Sequence, residues 1–347
     1  MHLIVDPAQL DTAAAQEALD RAAGILRAGG LVALPTETVY GLGANALDRT
    51  AVERIFAAKS RPAWDPIIVH IASVAMLEGL VEEVPAEARR LMDAFWPGPL
   101  TLLLPRAAAV PDAVTAGRPL VGVRMPSHPV ALELIRRAQV PVAAPSANRF
   151  GHISPTTAQH VLDDLDGRID AVVDAGPATR GVESTVLDPA TTPMTIYRPG
   201  AVTAEQIRAV AGPVEMYRSG EALRETPAEA LPSPGVGIRH YAPRARLVLV
   251  EAALAELAAC LESAARSETS ERVGVMLPDG VTAPAAIAED RVFLWGRWNA
   301  PEELAQRLYA GLRALDAAGC TVILCPLPAA EGIGAAIRDR LKKAGTI

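Results

Sequence analysis

Two cations suited to a phosphate chain lie two residues apart in KSRPAWDPIIVHI, where Lys59 and Arg61 leave the end of a helix that Pro62 stops. A compact ammonium beside a planar guanidinium fits a polyphosphate, the first as a point charge and the second as a fork. The same charges would also complement a helix C-terminus with no ligand present. Residue usage bears on the choice. The chain holds 30 Arg but three Lys, and Lys59 is the only lysine before Lys342 and Lys343. A sequence that writes its positive charges as Arg keeps one Lys where a guanidinium cannot replace it. Just beyond, Asp65 precedes an apolar strand that ends on His70.

Further polar residues recur at the ends of apolar runs. ALPTETVYGLGANA places Thr36, Glu37, Thr38 and Tyr40 after a strand, with Gly41 and Gly43 expected to let the backbone turn tightly and approach a ligand. In VGVRMPSHP, Arg124 interrupts an apolar strand. PVAAPSANRFGHISPTTA carries Ser146 and Asn148 past a strand end, and Ser154 before a helix, where it is either an N-cap or a donor to phosphate or ribose oxygens. GVESTVLD and TIYRPG add Ser184 and Arg198. Hydroxyls, amides and cations at successive strand ends are the makings of an anion-binding cleft. Neither GxGxxG nor GxxxxGK[ST] is present, so the dinucleotide and P-loop fingerprints do not apply. A Cys nucleophile motif, a GxSxG elbow and an HExxH zinc motif are missing too. Such a site fits attack by one bound substrate on a phosphorus of another, where positioning and charge stabilisation carry the catalysis.

The elements that must hold these residues alternate. Helical spacing over residues 12–28, 49–59, 129–138, 156–165 and 203–210 separates the strands LVALP, PIIVHI, LTLLLP, VGVRMP, PVAAP, AVVDAG, STVLD and MTIYR. This predicts an α/β domain over residues 1–212 whose sheet is mixed, since the last strands follow one another closely. No pattern persists from 213 to 245, which reads as a linker whose length argues for function, with Arg239, His240 and Tyr241 near its end. Residues 246–347 form a smaller α/β unit. A length of 347 residues suits two domains, and half the residues are apolar, which excludes wholesale disorder. No run approaches a membrane helix, so the chain is expected to be soluble and cytoplasmic. The net charge of −7 gives no bulk attraction for nucleic acid, and Cys260, Cys320 and Cys325 read as small core residues.

LPTETVYGLGANA, KSRPAWDPIIVHI, WPGPLTLLLP, VRMP, APSAN, GVESTV and YRPG, in this order across residues 20–210, resemble the threonylcarbamoyl-AMP synthase (YrdC-like) family. SPGVGIRHYAP and the second unit resemble its long, two-domain form. The resemblance implies a twisted mixed-sheet YrdC-like catalytic domain followed by a smaller Rossmann-like α/β domain. It also implies a nucleotidyltransferase that joins L-threonine, bicarbonate or CO2, and ATP into threonylcarbamoyl-AMP with release of pyrophosphate. A tRNA-modifying threonylcarbamoyl transferase would take the product toward N6-threonylcarbamoyladenosine (t6A). By similarity, Thr38, His70, Arg124 and Ser184 would hold threonine. Lys59, Arg61, Asp65, Ser146, Asn148, Ser154 and Arg198 would bind ATP, with Mg2+ bridging phosphates and Lys59 and Arg61 as the catalytic pair. Tyr241 would fold back from the linker as a lid.

Asp65 stands where the family usually shows Asn, and Leu120 where Thr is common. A carboxylate beside a triphosphate repels it unless it meets Mg2+, an Arg or sugar hydroxyls. The alternative function is an RNA-binding or regulatory protein using the same cationic cleft, with weak tRNA binding. Carbamoyl transfer to another protein ranks lower, because zinc-finger and acylphosphatase-like segments are missing. Replacing Lys59 or Arg61 by Ala is expected to reduce adenylate formation greatly while sparing the fold.

Overall fold

The computed structural model describes residues 1–217, 231, 233, 241–268 and 271–345. The chain divides into two compact units. One comprises Met1–Phe150, Ser154–Thr179 and the described part of Glu183–Ile238, and the other Gly151–Ile153, Arg180–Val182 and the described part of Arg239–Ile347.

In the first unit the strands are β1 (His2–Ile4), β2 (Val32–Leu34), β3 (Gly41–Asn45), β4 (Ile68–His70), β5 (Leu100–Pro105), β6 (Leu120–Arg124), β7 (Val142–Ala143), β8 (Ala171–Asp174), β9 (Thr185–Asp188), β10 (Met194–Arg198) and β11 (Val214–Met216). Among the described residues they form one mixed sheet in the order β1-β8-β2-β3-β7-β4-β6-β5-β9-β10-β11. The helices are α1 (Ala13–Arg27), α2 (Arg49–Lys59), α3 (Ala86–Phe95), α4 (Asp112–Thr115), α5 (Pro129–Ala138), α6 (Ala158–Leu165) and α7 (Ala204–Ala211). Their ends are written locally. Thr12, Asp48 and Thr157 cap α1, α2 and α6 by accepting a backbone N–H, and Thr203 and Gln206 form a capping box on α7. Ser60, left-handed at φ 54°, stops α2 one residue after Lys59.

The second unit holds β12 (Arg246–Val250), α8 (Leu254–Ser267), β13 (Val273–Pro278), β14 (Val292–Gly296), α9 (Pro301–Ala317), β15 (Val322–Pro326) and α10 (Gly334–Gly345). Its sheet, β12-β15-β13-β14, is parallel throughout, so a mixed sheet and a smaller Rossmann-like unit are both present. Cys320 and Cys325 are buried and Cys260 half-buried, all as free thiols. Among the described residues no helix is long and apolar enough to cross a membrane.

Three local expectations are corrected. Gly41 and Gly43 do not make a turn, since both lie in β3. A Cβ at Gly43 would sit 2.8 Å from both Leu34 and Val142, so the missing side chain serves strand packing. Ser154 is not an N-cap: Thr157 takes that place. The sheet also continues past residue 212, where β11 pairs parallel with β10. A three-residue edge strand held by backbone bonds is too short to show a period. Most of the expected linker, Arg239 and His240 included, lies outside the described residues. Within it, Leu231 donates its backbone N–H to the Trp64 carbonyl at 3.1 Å.

Candidate active site

The site of the first unit follows from period-two alternation on neighbouring strands. Val69, Val121, Val123, Leu100, Leu102, Leu104 and Leu187 face the main core. The residues between them therefore face the other side: His70 on β4, Arg124 on β6, Thr101 on β5 and Ser184 at the entry to β9. Register aligns them, with His70 paired to Arg124 across β4 and β6, and Leu100 to Thr185 across β5 and β9. On β10 a bulge between Ile196 and Arg198 pairs Ile196 with Leu187 but Arg198 with Val186, which brings Arg198 to the same side as Ser184.

These side chains are buried, so their bonds decide what they can do. Arg198 Nη2 donates to Ser184 Oγ and its Nε to the Ser184 carbonyl, both at 3.1 Å, while Ser184 Oγ lies 2.8 Å from Thr101 Oγ1. Arg124 donates from Nη1 to Thr38 Oγ1 at 2.9 Å and from Nε to the Gly98 carbonyl at 3.2 Å, and its Nη2 pairs with Glu37 Oε1 at 2.6 Å. Burial is the largest single influence on Glu37 and would raise it, but the charge and hydrogen bond of Arg124, together with backbone hydrogen bonds at Glu37 and Ser127, hold the carboxyl below its usual range. Burial, reinforced by Arg124, pushes His70 down to about 3, so its imidazole is neutral at any physiological pH. Thr36 Oγ1 fixes the turn beneath, accepting the Thr38 N–H at 3.2 Å and donating to the Val39 carbonyl at 2.6 Å. Tyr40 is a strut, its hydroxyl held by the Gly176 carbonyl at 2.7 Å.

A second group gathers at the end of α2. The Lys59 ammonium, 1% exposed, donates to the carbonyls of Ser146, at 2.6 Å, and Asn148. Burial, then the Arg61 charge, lowers Lys59 well below the usual lysine range. Arg61 pairs with Asp65 at 2.9 Å, with both side chains almost wholly buried, and donates from Nη2 to the Pro66 carbonyl at 2.8 Å. Asp65 therefore meets an Arg, one of the partners that make a carboxylate tolerable beside a phosphate chain. Burial raises its carboxyl, opposed by Arg61, Lys59 and Arg198 in that order. Ser146 bridges Gly41, Asn148 Nδ2 donates to the Arg149 carbonyl at 2.8 Å, and Ser154 Oγ donates to Glu183 Oε1 at 2.6 Å. Lys59 and Arg61 are bonded to neighbouring backbone carbonyls and to Asp65, so their replacement is expected to cost stability as well.

Tyr241 belongs to the second unit, where it is 6% exposed at φ 64°. Its ring stacks on Tyr309 with centroids 5.8 Å apart, and the Arg340 guanidinium lies 5.2 Å over it. The residue reading placed Glu37 in the first polar segment without giving it a role, and did not single out His128, Thr101 or Glu183. The signal for Glu37 was its place between Thr36 and Thr38. For Glu183 it was the place beside Ser184.

The chain can be set beside known proteins. A family model described as "Telomere recombination" matches residues 24–200, and one described as "Threonylcarbamoyl-AMP synthase, C-terminal domain" matches residues 202–346. The threonylcarbamoyl-AMP synthases of Pyrococcus abyssi and Bacillus subtilis are each 44% identical over 325 residues, 93% of this chain and 92% of theirs. The solved structure of P. abyssi Sua5 complexed with L-threonine is similar at a TM-score of 0.90 and 42% identity, covering 99% of this chain and 97% of that one.

Proposed function

The chain belongs to the threonylcarbamoyl-AMP synthase family, a nucleotidyltransferase-type enzyme, and from that premise we propose that it condenses L-threonine, bicarbonate or CO2, and ATP. The observation that carries the reading is the pairing of two buried polar groups in one unit. Arg124, with Thr38, His70 and Ser184, suits an amino acid, and Lys59, Arg61 and Arg198 suit a triphosphate. The relative solved with L-threonine supports the first assignment.

The chemistry needs no protein nucleophile. Threonine's amine adds to CO2 with loss of a proton, giving a carbamate. A carbamate oxygen then attacks the α-phosphorus of ATP, and the bond to pyrophosphate breaks. Arg124 orients the threonine carboxylate, while Lys59, Arg61 and Arg198 offset the charge that gathers on the departing pyrophosphate. Ser146, Asn148 and Ser154 would lie around the nucleotide, with Tyr241 as its lid. Asp65 holds Arg61 in place. Mg2+ would enter with ATP as the companion of its phosphates. The product would pass to a tRNA-modifying transferase in t6A formation.

The experiment is pyrophosphate release by the purified protein with ATP and Mg2+, with threonine or bicarbonate omitted in turn and the adenylate detected by mass. Release requires both co-substrates if the reading is right. ATP binding without release moves the assignment to the RNA-binding alternative.

A further inference from the structure

We propose that Glu37 and His128 are positioning residues of the amino-acid pocket, accepting hydrogen bonds from the α-ammonium of an amino acid whose carboxylate Arg124 takes. The inference rests on the reading that L-threonine binds beside Arg124.

Glu37 and Arg124 form an ion pair of 2.6 Å in which each side chain is less than a tenth exposed. Such a pair is a poor stability device, because the desolvation of two charges offsets most of their attraction. It is well suited to reading a zwitterion, which presents an anion and a cation a few bonds apart. Arg124 makes three contacts, to Thr38, Gly98 and Glu37, and a guanidinium has five N–H groups, so it retains donors for a carboxylate.

His128 is the independent observation. It occupies the N-cap position of α5, yet its side chain makes no capping bond. The residue is 8% exposed, and Nδ1 is buried with no hydrogen-bond partner among the described residues. A buried acceptor left unmade is costly, and one retained in a pocket implies a donor supplied from outside. Glu37 accepts a hydrogen bond from the backbone of Ser127, the residue before His128, and is the charge that acts on the His128 imidazole. Burial depresses the imidazole, which keeps it neutral and, with the proton on Nε2, makes Nδ1 an acceptor. The hydroxyls nearby are already engaged, Thr38 with Arg124 and Thr36 with the turn. Glu37, His128 Nδ1 and His70 Nδ1, which is likewise buried with no hydrogen-bond partner among the described residues, are thus the acceptors for an ammonium, which brings three N–H groups.

The test titrates the full chain calorimetrically with L-threonine and with 2,3-dihydroxybutanoate, which keeps the skeleton and carboxylate but carries a hydroxyl in place of the ammonium. Wild type prefers threonine. In Glu37→Gln and His128→Leu that preference shrinks by about tenfold or more, with affinity for the dihydroxy acid little changed, because a bond to a charged group is lost. His128→Asn, whose amide oxygen offers an acceptor, restores part of it. If Glu37→Gln does not fold, the two His128 variants decide the matter. An unchanged preference, or equal loss of both ligands, overturns the inference while wild-type threonine binding keeps the site reading intact. Failure of wild type to bind L-threonine overturns both.

Discussion

Lys59 shows how one side chain serves two ends. Its ammonium satisfies two backbone carbonyls from the segment carrying Ser146 and Asn148, so the charge proposed to bind phosphate also locks the loop beside it. Lys59→Ala should cut pyrophosphate release by about a hundredfold or more. It should also lower unfolding stability by about 1–3 kcal/mol for each carbonyl left unsatisfied, read by urea titration. Unchanged stability with lost activity would mean the carbonyl bonds contribute nothing. His70 supplies a pH dependence whose sign is fixed. Folded His70 stays neutral down to about 3, whereas the unfolded residue takes up a proton below 6.5. The unfolded state then binds more protons, so its contribution to stability is lost as pH falls from 6.5 toward 3, by about 1.4 kcal/mol per unit. His70→Asn should flatten the fall in denaturation free energy between pH 6.5 and 4.5. Parallel slopes would show that the imidazole is not held neutral. Little of this was legible at the residue level. Lys59, Arg61 and Arg124 announced themselves by type and place, but the partner of Arg124 is 87 positions earlier, and no local pattern encodes that Glu37 rather than solvent meets it.

Elements were far more legible, because their limits are local. Pro129 opens α5 and the helical period runs to Ala138, and α2 spans Arg49–Lys59 between an Asp cap and a left-handed serine, as the spacing predicts. The β10 bulge was not legible. It depends on which strand β10 pairs with, and without it Arg198 would not share a side with Ser184. Gly200 shows how closely that corner is built. A Cβ there would lie 2.4 Å from the Thr185 nitrogen and 2.5 Å from the Glu183 carbonyl oxygen, so the chain after β10 packs against the backbone that enters β9. Gly200→Ala must push Ser184 and Arg198 apart. It should destabilise the protein by about 1–3 kcal/mol and raise the KM for ATP and threonine together. A variant with wild-type KM values for both would mean the corner yields without moving the site.

At the scale of the molecule, the buried polar side chains of the candidate site all belong to the first unit, whose cores lie under β4, β5, β6 and β9. The second unit has its own core, built from α8, β13 and β15. Bound substrates stabilise what they touch, and amide exchange reports the gain segment by segment. Adding ATP with L-threonine should therefore slow exchange in β4, β6 and β9, while β13 keeps its rate. Residues 241–245 are the informative exception. If Tyr241 leaves Tyr309 and Arg340 to cover the nucleotide, exchange there changes with ATP alone. The RNA alternative predicts a different map, with protection that needs RNA and fades steeply with salt, because a chain of net charge −7 can hold a polyanion only through a local patch. Protection of β4, β6 and β9 by ATP and threonine without RNA assigns the cleft to the small substrates. Protection by RNA alone assigns it to the polyanion.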